Sequence, residues 1–598
     1  MELVRQEDVS SLPELQRRRT WVGADTPIDY DREMRDTALL TRRSFVGKAM
    51  AATVGGSAAG ALGQTASAMA QQSSTYIDLF RNPDFVTAYA GLENAMALTR
   101  TVTRWQASGV EVEVSPEAAK VAIRLSAPGI ALTQIHVRWT VSMARAIASR
   151  LRFLGDQWER SYGDLTWRGM VPERVMPWYF ATYDGAALHG YGVETGAGAL
   201  CFWQIDPEGV SLWLDVANGG SGVVLGQRQL YAATVVARKG EAGEEPMAAL
   251  GKFCRVMCAE PRPASGVIYG TNDWYYAYGN SSQEQILEDA QLAAELRPPG
   301  GPRPFTVMDE GWANKAKFPD MQSLADRIRK LEVRPGIWIR PLRASHETNT
   351  TWLMPEARFG KRMERAAELA YDPTVPEALE AVRAQLRQLV DWGFELVKHD
   401  FSTYDMLGQW GFEMGAQPAL KGWSFHDRSR TNAEIISGFY REIRRTLGEQ
   451  TLILGCNTMG QLSAGVFDAQ RTGDDTSGKI WERTRRMGVN TIAFRLAQHR
   501  NYFVVDGDCV AVTSAVPWRQ TQEWLQFVAA SGTALFVSVE KRAMEAEQKS
   551  ALKVAFALAS ALPSANTPAD WFASTTPELW GEKRFAWSGT DGAWPFTV

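Results

Sequence analysis

The sequence is poor in the residues that build metal centres and disulfide frameworks. Its 598 residues hold only five cysteines and six histidines. Cys201, Cys254, Cys258, Cys456 and Cys509 are too few and too scattered for a disulfide scaffold. Cys254 and Cys258 stand four apart on a predicted helix and read as two buried free thiols. No HExxH and no Cys/His cluster occurs, so neither a zinc site nor any other metal or cofactor is expected. There is no run of 18 strongly apolar residues, which leaves nothing beyond the N-terminus to span a bilayer. A charge excess is missing too: 64 Lys+Arg face 68 Asp+Glu, net −4. That balance argues against a nucleic-acid partner or a polybasic membrane contact.

Tryptophan, by contrast, is abundant, with 22 residues. Indole rings stack on the C–H faces of sugars, but the cores of large β-sandwiches and barrels use the same residue. Composition leaves both readings open.

The N-terminus reads as an address. Arg42-Arg43, Phe45 and Lys48 resemble a twin-arginine export motif. An Ala/Gly-rich stretch follows and ends in Ala68-Met69-Ala70, an A-x-A cleavage site. The competing reading is a Gly/Ala linker after a chance arginine pair. Residues 1–70 would thus be an extension and signal peptide, with Met34 as the expected start and a mature chain from near Gln71. The product would be periplasmic or secreted, with no membrane contact after cleavage.

From 71 to 263 the pattern is of short strands. Glu111–Val114, Gln134–Trp139, Leu200–Gln204 and Val210–Asp215 alternate apolar and polar residues between Gly, Asp and Pro. This predicts a large β-sandwich. From 264 to 545 eight apolar runs alternate with amphipathic helices. The runs are Gly266–Gly270, Pro304–Asp309, Gly336–Arg340, Phe394–Asp400, Leu452–Cys456, Gly465–Arg471, Tyr502–Asp506 and Ala534–Ser538. Eight such units predict a (β/α)8 TIM barrel of the α/β class. An open doubly wound sheet is the alternative, disfavoured because no G-x-G-x-x-G or phosphate loop follows any run. Residues 546–598 read as a helix and a partial C-terminal β region.

In a barrel, chemistry gathers at the C-terminal ends of the strands. Those ends carry Asp273-Trp274, Asp309-Glu310, Trp338 with Arg340, Lys398-His399-Asp400, Cys456, Arg471 through Asp474-Asp475, and Asp506 with Asp508. Two carboxylates on opposite walls suit glycoside cleavage, one attacking the anomeric carbon and the other moving a proton. Lys398 stands two residues before Asp400, so on a strand both face the pocket. Its ammonium would keep Asp400 ionised, as a nucleophile requires. The proton donor needs the opposite, and the like charges of Asp474 and Asp475 would push one titration upward. For any single Asp here, a helix cap or a loop salt bridge is the plain alternative.

These motifs resemble the glycoside hydrolase family 36 group of retaining α-galactosidases, in the clan it shares with families 27 and 31. The likeness runs over sandwich, barrel and β tail. Its K-x-D nucleophile motif is matched by Lys398-His399-Asp400, and its F-D-A-x-R-x-G-x-D-T acid/base stretch by Phe467 to Thr476, with Asp475 in register. Leu454-Gly455-Cys456 and Asp506-Gly507-Asp508-Cys509 match in order.

The resemblance implies that Asp400 is the nucleophile and Asp475 the acid/base. It further implies that Trp274, Asp309, Glu310, Trp338, Lys398, Cys456 and Arg471 contact a terminal sugar. For Cys456, a small core filler is an equal reading. Two residues depart from the family. Asp309-Glu310-Gly311-Trp312 stands where the family has D-D-G-W, and the longer Glu310 would crowd C6 of a galactoside and favour a β-L-arabinopyranoside. Arg340 would pair with Glu310 or Asp309, or read a modified sugar. The short tail also departs, through truncation, gene splitting or a frameshift.

The implied partner is an oligosaccharide or glycoside, with a homo-oligomer left open. Transglycosylation, α-glucosidase-like specificity and a non-catalytic sugar-binding role remain the alternatives.

Overall fold

In the computed structural model the described residues are 75–91, 93–141, 148–362, 368–562 and 566–587. The twin-arginine stretch, its cleavage site and the last eleven residues lie outside them. No helix among the described residues is long and apolar enough to cross a membrane.

The strand-rich region forms two antiparallel sheets. One has six strands in the order 95–97, 85–89, 134–140, 209–215, 200–206, 176–177. The other has eight, in the order 99–100, 104–107, 110–116, 120–126, 230–238, 188–193, 179–183, 152–155. Alternation fixes which side faces the core: in Val110–Pro116 the valines at 110, 112 and 114 are buried and the glutamates between them are not. Aromatic rings bridge the two layers, with Phe180 meeting Trp203 edge-on at 5.5 Å.

The region beyond is a parallel ring. Its strands are β1 (Tyr269–Asn272), β2 (Phe305–Met308), β3 (Arg334–Ile339), β4 (Leu396–His399), β5 (Leu452–Gly455), β6 (Ala469–Arg471), β7 (Val504–Asp506), β8 (Val510–Val512) and β9 (Leu535–Val539). The order is β7-β6-β5-β4-β3-β2-β1-β9-β8. A parallel bridge from Asp506 to Ala534 joins β7 to the start of β9 and closes the ring. β7 and β8 are two halves of one strand, broken at 507–509 where Asp508 adopts a positive φ of 82°. Nine segments are thus eight barrel strands, and the fold is the expected (β/α)8 barrel behind a β-sandwich.

The helices between strands carry the signals the sequence offers. Asn432–Leu447 opens on a Thr431/Glu434 capping box and buries Ile435, Ile436, Phe439, Tyr440, Ile443 and Leu447 at helical spacing. Pro376 occupies the first turn of Pro376–Asp391. The first strand starts at Tyr269 rather than Gly266, and the sixth is only Ala469–Arg471, because the chain is still turning at 464–466, with Gly465 at φ +77°. Cys258 caps the helix Pro246–Met257, and all five cysteines are free and buried. The described part of the tail carries a hairpin of Leu579–Trp580 and Lys583–Arg584. Its Trp580 packs on Phe527 of the helix Trp518–Ser531, and Trp571 packs on Trp167.

Candidate functional site

The C-terminal rim of the ring gathers the acidic residues. β4 ends on His399 and hands over to Asp400, whose amide still bonds to Ile339 of β3. Phe401 then turns with φ at +65°, and its N–H donates to Asp400 Oδ1 at 2.7 Å. The indole N–H of Trp338 donates to Oδ2 at 2.9 Å. Each carboxylate oxygen of Asp400 therefore accepts one fixed hydrogen bond, and the side chain is held in one orientation. The polar edge of Trp338, a residue the resemblance places against the sugar, thus serves Asp400.

Lys398 reaches across β3 to Asp309, Nζ to Oδ2 at 2.7 Å. Burial works against the ammonium, but the charge of Asp309 outweighs it and holds the group above its usual value. Asn272 donates to the same Oδ2 at 3.0 Å, and Asp273 accepts the Asp309 amide at 2.7 Å. Burial, reinforced by Asp309, pushes the Asp273 carboxyl up to about 7. Gly311 permits the turn that follows: φ is +114°, and a Cβ there would lie 2.4 Å from the Gly279 carbonyl.

Asp475 lies beyond β6. Its Oδ1 accepts from Arg471 at 3.1 Å and from Arg160 at 3.3 Å. The side chain is 31% exposed. Burial pushes its carboxyl up, but Arg471, Arg160, Arg483 and Lys398 outweigh it and bring it down to about 2. The expected upward push from Asp474 is therefore reversed in this structure. Asp474 is itself occupied by Arg160 at 3.3 Å and Arg483 at 2.8 Å. Four cations converge here, and two of them, Arg160 and Arg483, were not among the residues the sequence placed at the mouth.

Two further expectations change. Arg340 does not pair with Glu310 or Asp309. Its guanidinium is spent on Asp405 and Glu368, both at 2.6 Å, and stacks over Phe401 at 4.5 Å. Asp405 follows Asp400 by five residues on the short helix Ser402–Leu407, so the loop after β4 draws this arginine outward. Glu310 turns toward the rim and meets Arg343 at 2.8 Å.

Cys456 is buried, 4.0 Å from an Arg471 nitrogen. Burial, with Asp400 adding to it, keeps the group a thiol. Trp274 opens the helical turn after β1 and packs on Tyr278 at 5.7 Å.

Sequence reasoning missed Arg160, and it gave no role to Asn272 or to Asp273 and Asp508 at their strand ends. Asp508 pairs with Arg471 at 3.0 Å and accepts the Thr476 amide at 2.8 Å, bracing the acid-bearing loop. Its place in the broken seventh strand was visible, but its partner was not. Arg160 had no signal, because it sits among β-like residues of the sandwich region. His399, between Lys398 and Asp400, points the other way and is caged by Phe439, Tyr440 and Phe467. Burial pushes its imidazole down to about 3, so it is neutral. No group of three or more metal-ligating side chains occurs among the described residues.

The fold and the rim define the molecule as a (β/α)8 barrel with an N-terminal β-sandwich and a carboxylate-lined mouth. No family model matches the chain. Solved structures share its fold. TtGalA, an alpha-galactosidase from Thermus thermophilus in complex with p-nitrophenyl alpha-D-galactopyranoside, superposes with a TM-score of 0.51 at 16% identity, covering 75% of this chain and 92% of that one. The same protein with stachyose gives 0.52 at 17%, covering 76% and 98%. The GH36 alpha-galactosidase AgaA from Geobacillus stearothermophilus, with 1-deoxygalactonojirimycin, gives 0.52 at 13%, covering 76% and 68%. At these identities the likeness is one of fold.

Proposed function

We propose that the protein is a retaining exo-glycosidase, similar to the family 36 α-galactosidases, acting on a terminal α-D-galactoside or a sugar of like configuration. The observation that carries this reading is the pairing of two differently held carboxylates at one barrel mouth. Asp400 has both oxygens oriented by Trp338 and Phe401, and Asp475 is gripped on one oxygen by two guanidinium groups.

In this reading Asp400 attacks C1 and forms a glycosyl-enzyme while the C1–O bond to the leaving group breaks. Asp475 gives its proton to the departing oxygen, then takes one from the water that releases the sugar. Asp309, Lys398 and Arg471 bind hydroxyls, and Trp274 and Trp338 flank the ring. The cations around free Asp475 hold its carboxyl below the usual carboxylate range, so the donor form must be favoured by the bound sugar. A sugar in the pocket strips water from the exposed part of Asp475 and draws Arg471 toward its hydroxyls. Both changes raise the carboxyl.

The test is a panel of p-nitrophenyl glycosides: α-D-galactoside, β-L-arabinopyranoside, α-N-acetylgalactosaminide and α-D-glucoside. The galactoside or arabinopyranoside is expected to be cleaved with retention at C1, and Asp400→Asn to abolish cleavage. Inversion, or an Asp400→Asn protein as active as the parent, would overturn the reading. Export by the twin-arginine route is part of the same proposal, and five buried free thiols suit a protein folded before export. An Arg42→Lys/Arg43→Lys variant retained in the cytoplasm is the expected result.

A further inference from the structure

The sandwich region contributes directly to the barrel mouth. Residues 156–162 run along the end of β6. Ser161 donates its N–H to the Thr472 carbonyl at 2.9 Å and accepts from the Asp474 amide at 2.8 Å, which makes a parallel bridge to Gly473. Arg495 ties the two segments together, bonding Asp156 at 2.8 Å and the carbonyls of Glu159 and Thr472 at 2.6 and 2.8 Å. Glu159 anchors the other side, accepting from Asn457 at 2.7 Å and from the Gly411 amide at 2.9 Å. Between these anchors stands Arg160. Its side chain is 7% exposed and lies over the rings of Trp410 and Tyr162 at 5.7 and 5.8 Å. It is a buried cation in a rigid seat, with one nitrogen on Asp474 and another on Asp475.

We propose that Arg160 is a positioning residue for the acid/base Asp475, selecting the carboxylate oxygen that carries the proton. This rests on the reading of Asp475 given above. Arg160 and Arg471 both donate to Oδ1. An oxygen accepting from two guanidinium groups is a poor site for a proton, so the proton is held on Oδ2. In the first step the Oδ2–H proton goes to the glycosidic oxygen, the C1–O bond breaks and an Asp400 oxygen bonds to C1. In the second step Oδ2 takes a proton from water as the water oxygen replaces Asp400.

Several other charged or titratable groups face Asp475. They are Arg471 at the end of β6, Lys398 on β4, Arg483 on the helix Trp481–Thr484, its neighbour Asp474, Asp508 in the break of the seventh strand, and the phenols of Tyr275 and Tyr278. Arg160 alone among the cations comes from outside the barrel.

The experiment is the pH profile of kcat, which reports the sugar-bound enzyme, on raffinose, whose alkoxide leaving group needs the proton, for the full chain and for Arg160→Gln, Arg160→Lys and Asp475→Asn. Removing one cation from Asp475 raises its carboxyl. In Arg160→Gln the alkaline limb is therefore expected to move up by about one pH unit. Arg160→Lys keeps the charge in the same seat, and its limb should move in the same direction by less. It also stands in if the glutamine variant does not fold, since a lysine limb identical to the parent's would contradict selection by the guanidinium fork. Asp475→Asn should lose the limb. An unmoved limb in a folded Arg160→Gln protein, with the limb lost in Asp475→Asn, overturns the role of Arg160 and leaves Asp475 as the acid/base. A limb retained in Asp475→Asn overturns the reading of Asp475, and the proposal with it.

Discussion

Lys398 Nζ lies 2.7 Å from Asp309 Oδ2, joining the fourth barrel strand to the end of the second across the third. Both side chains are at most 10% exposed. Breaking one partner of such a pair leaves a charge buried without its counter-charge, which costs roughly 3–5 kcal/mol. Asp309→Asn should therefore lower unfolding stability by about 3 kcal/mol in urea denaturation. Asp309→Asn/Lys398→Met should recover part of that loss, because it removes the stranded ammonium. A double variant less stable than Asp309→Asn alone would mean that the pair is not the source of the effect.

In the proposed reaction, the proton from Asp475 matters in proportion to the basicity of the leaving group. p-Nitrophenolate departs with little help, whereas a sugar alkoxide needs protonation. Asp475→Asn should thus lose on the order of 10²–10⁴-fold with an oligosaccharide such as raffinose. With an activated aryl glycoside it should lose much less. Equal losses on both substrates, measured as kcat/KM, would remove the proton-transfer role.

Glu310 and Arg343 form an exposed pair, 39% and 59% accessible, on the rim above Asp309. Such a pair adds no more than about 1 kcal/mol, so Arg343→Ala should scarcely change stability. On the proposed function its consequence is steric, because Glu310 carries one methylene more than aspartate beside the place expected for C6. β-L-Arabinopyranoside should outpace α-D-galactoside, and Glu310→Asp should reverse that order. Identical selectivity in the two proteins, read from kcat/KM ratios, would detach Glu310 from specificity.

Asp215 ends a sandwich strand with its side chain buried, accepting the Ala217 amide at 3.1 Å. Burial pushes its carboxyl up to about 7. The folded state then binds a proton that the unfolded chain releases near pH 4, so the contribution is fully present below that pH. It is lost as pH rises toward 7, at up to about 1.4 kcal/mol per pH unit. Asp215→Asn should flatten this part of the stability–pH curve in chemical denaturation. A curve of unchanged slope would show that Asp215 titrates normally.

Much of this architecture was legible along the chain. Strand and helix periods mark where side chains alternate or recur, so the eight barrel runs and the sandwich strands could be assigned from apolar spacing alone. The ends of those runs named Asp309, Asp400 and Asp475 because strand ends converge in a ring. The tryptophans were a weaker guide. Trp139, Trp158, Trp178, Trp203, Trp524, Trp580 and Trp587 are fully buried in cores, and Trp338 is among the few at the rim.

The sequence by itself determined the order of the elements and which residue types stand at the mouth, since both follow from local period and chain direction. Only the tertiary structure decided what those residues face. Arg160 meets Asp475 across 315 positions, Arg340 turns to Asp405 and Glu368, and Glu310 turns to Arg343. The physical reason is that a carboxylate's titration and orientation depend on charges a few ångströms away through space. Four cations brought together by folding took Asp475 in the direction opposite to the one its acidic neighbour in the chain implied.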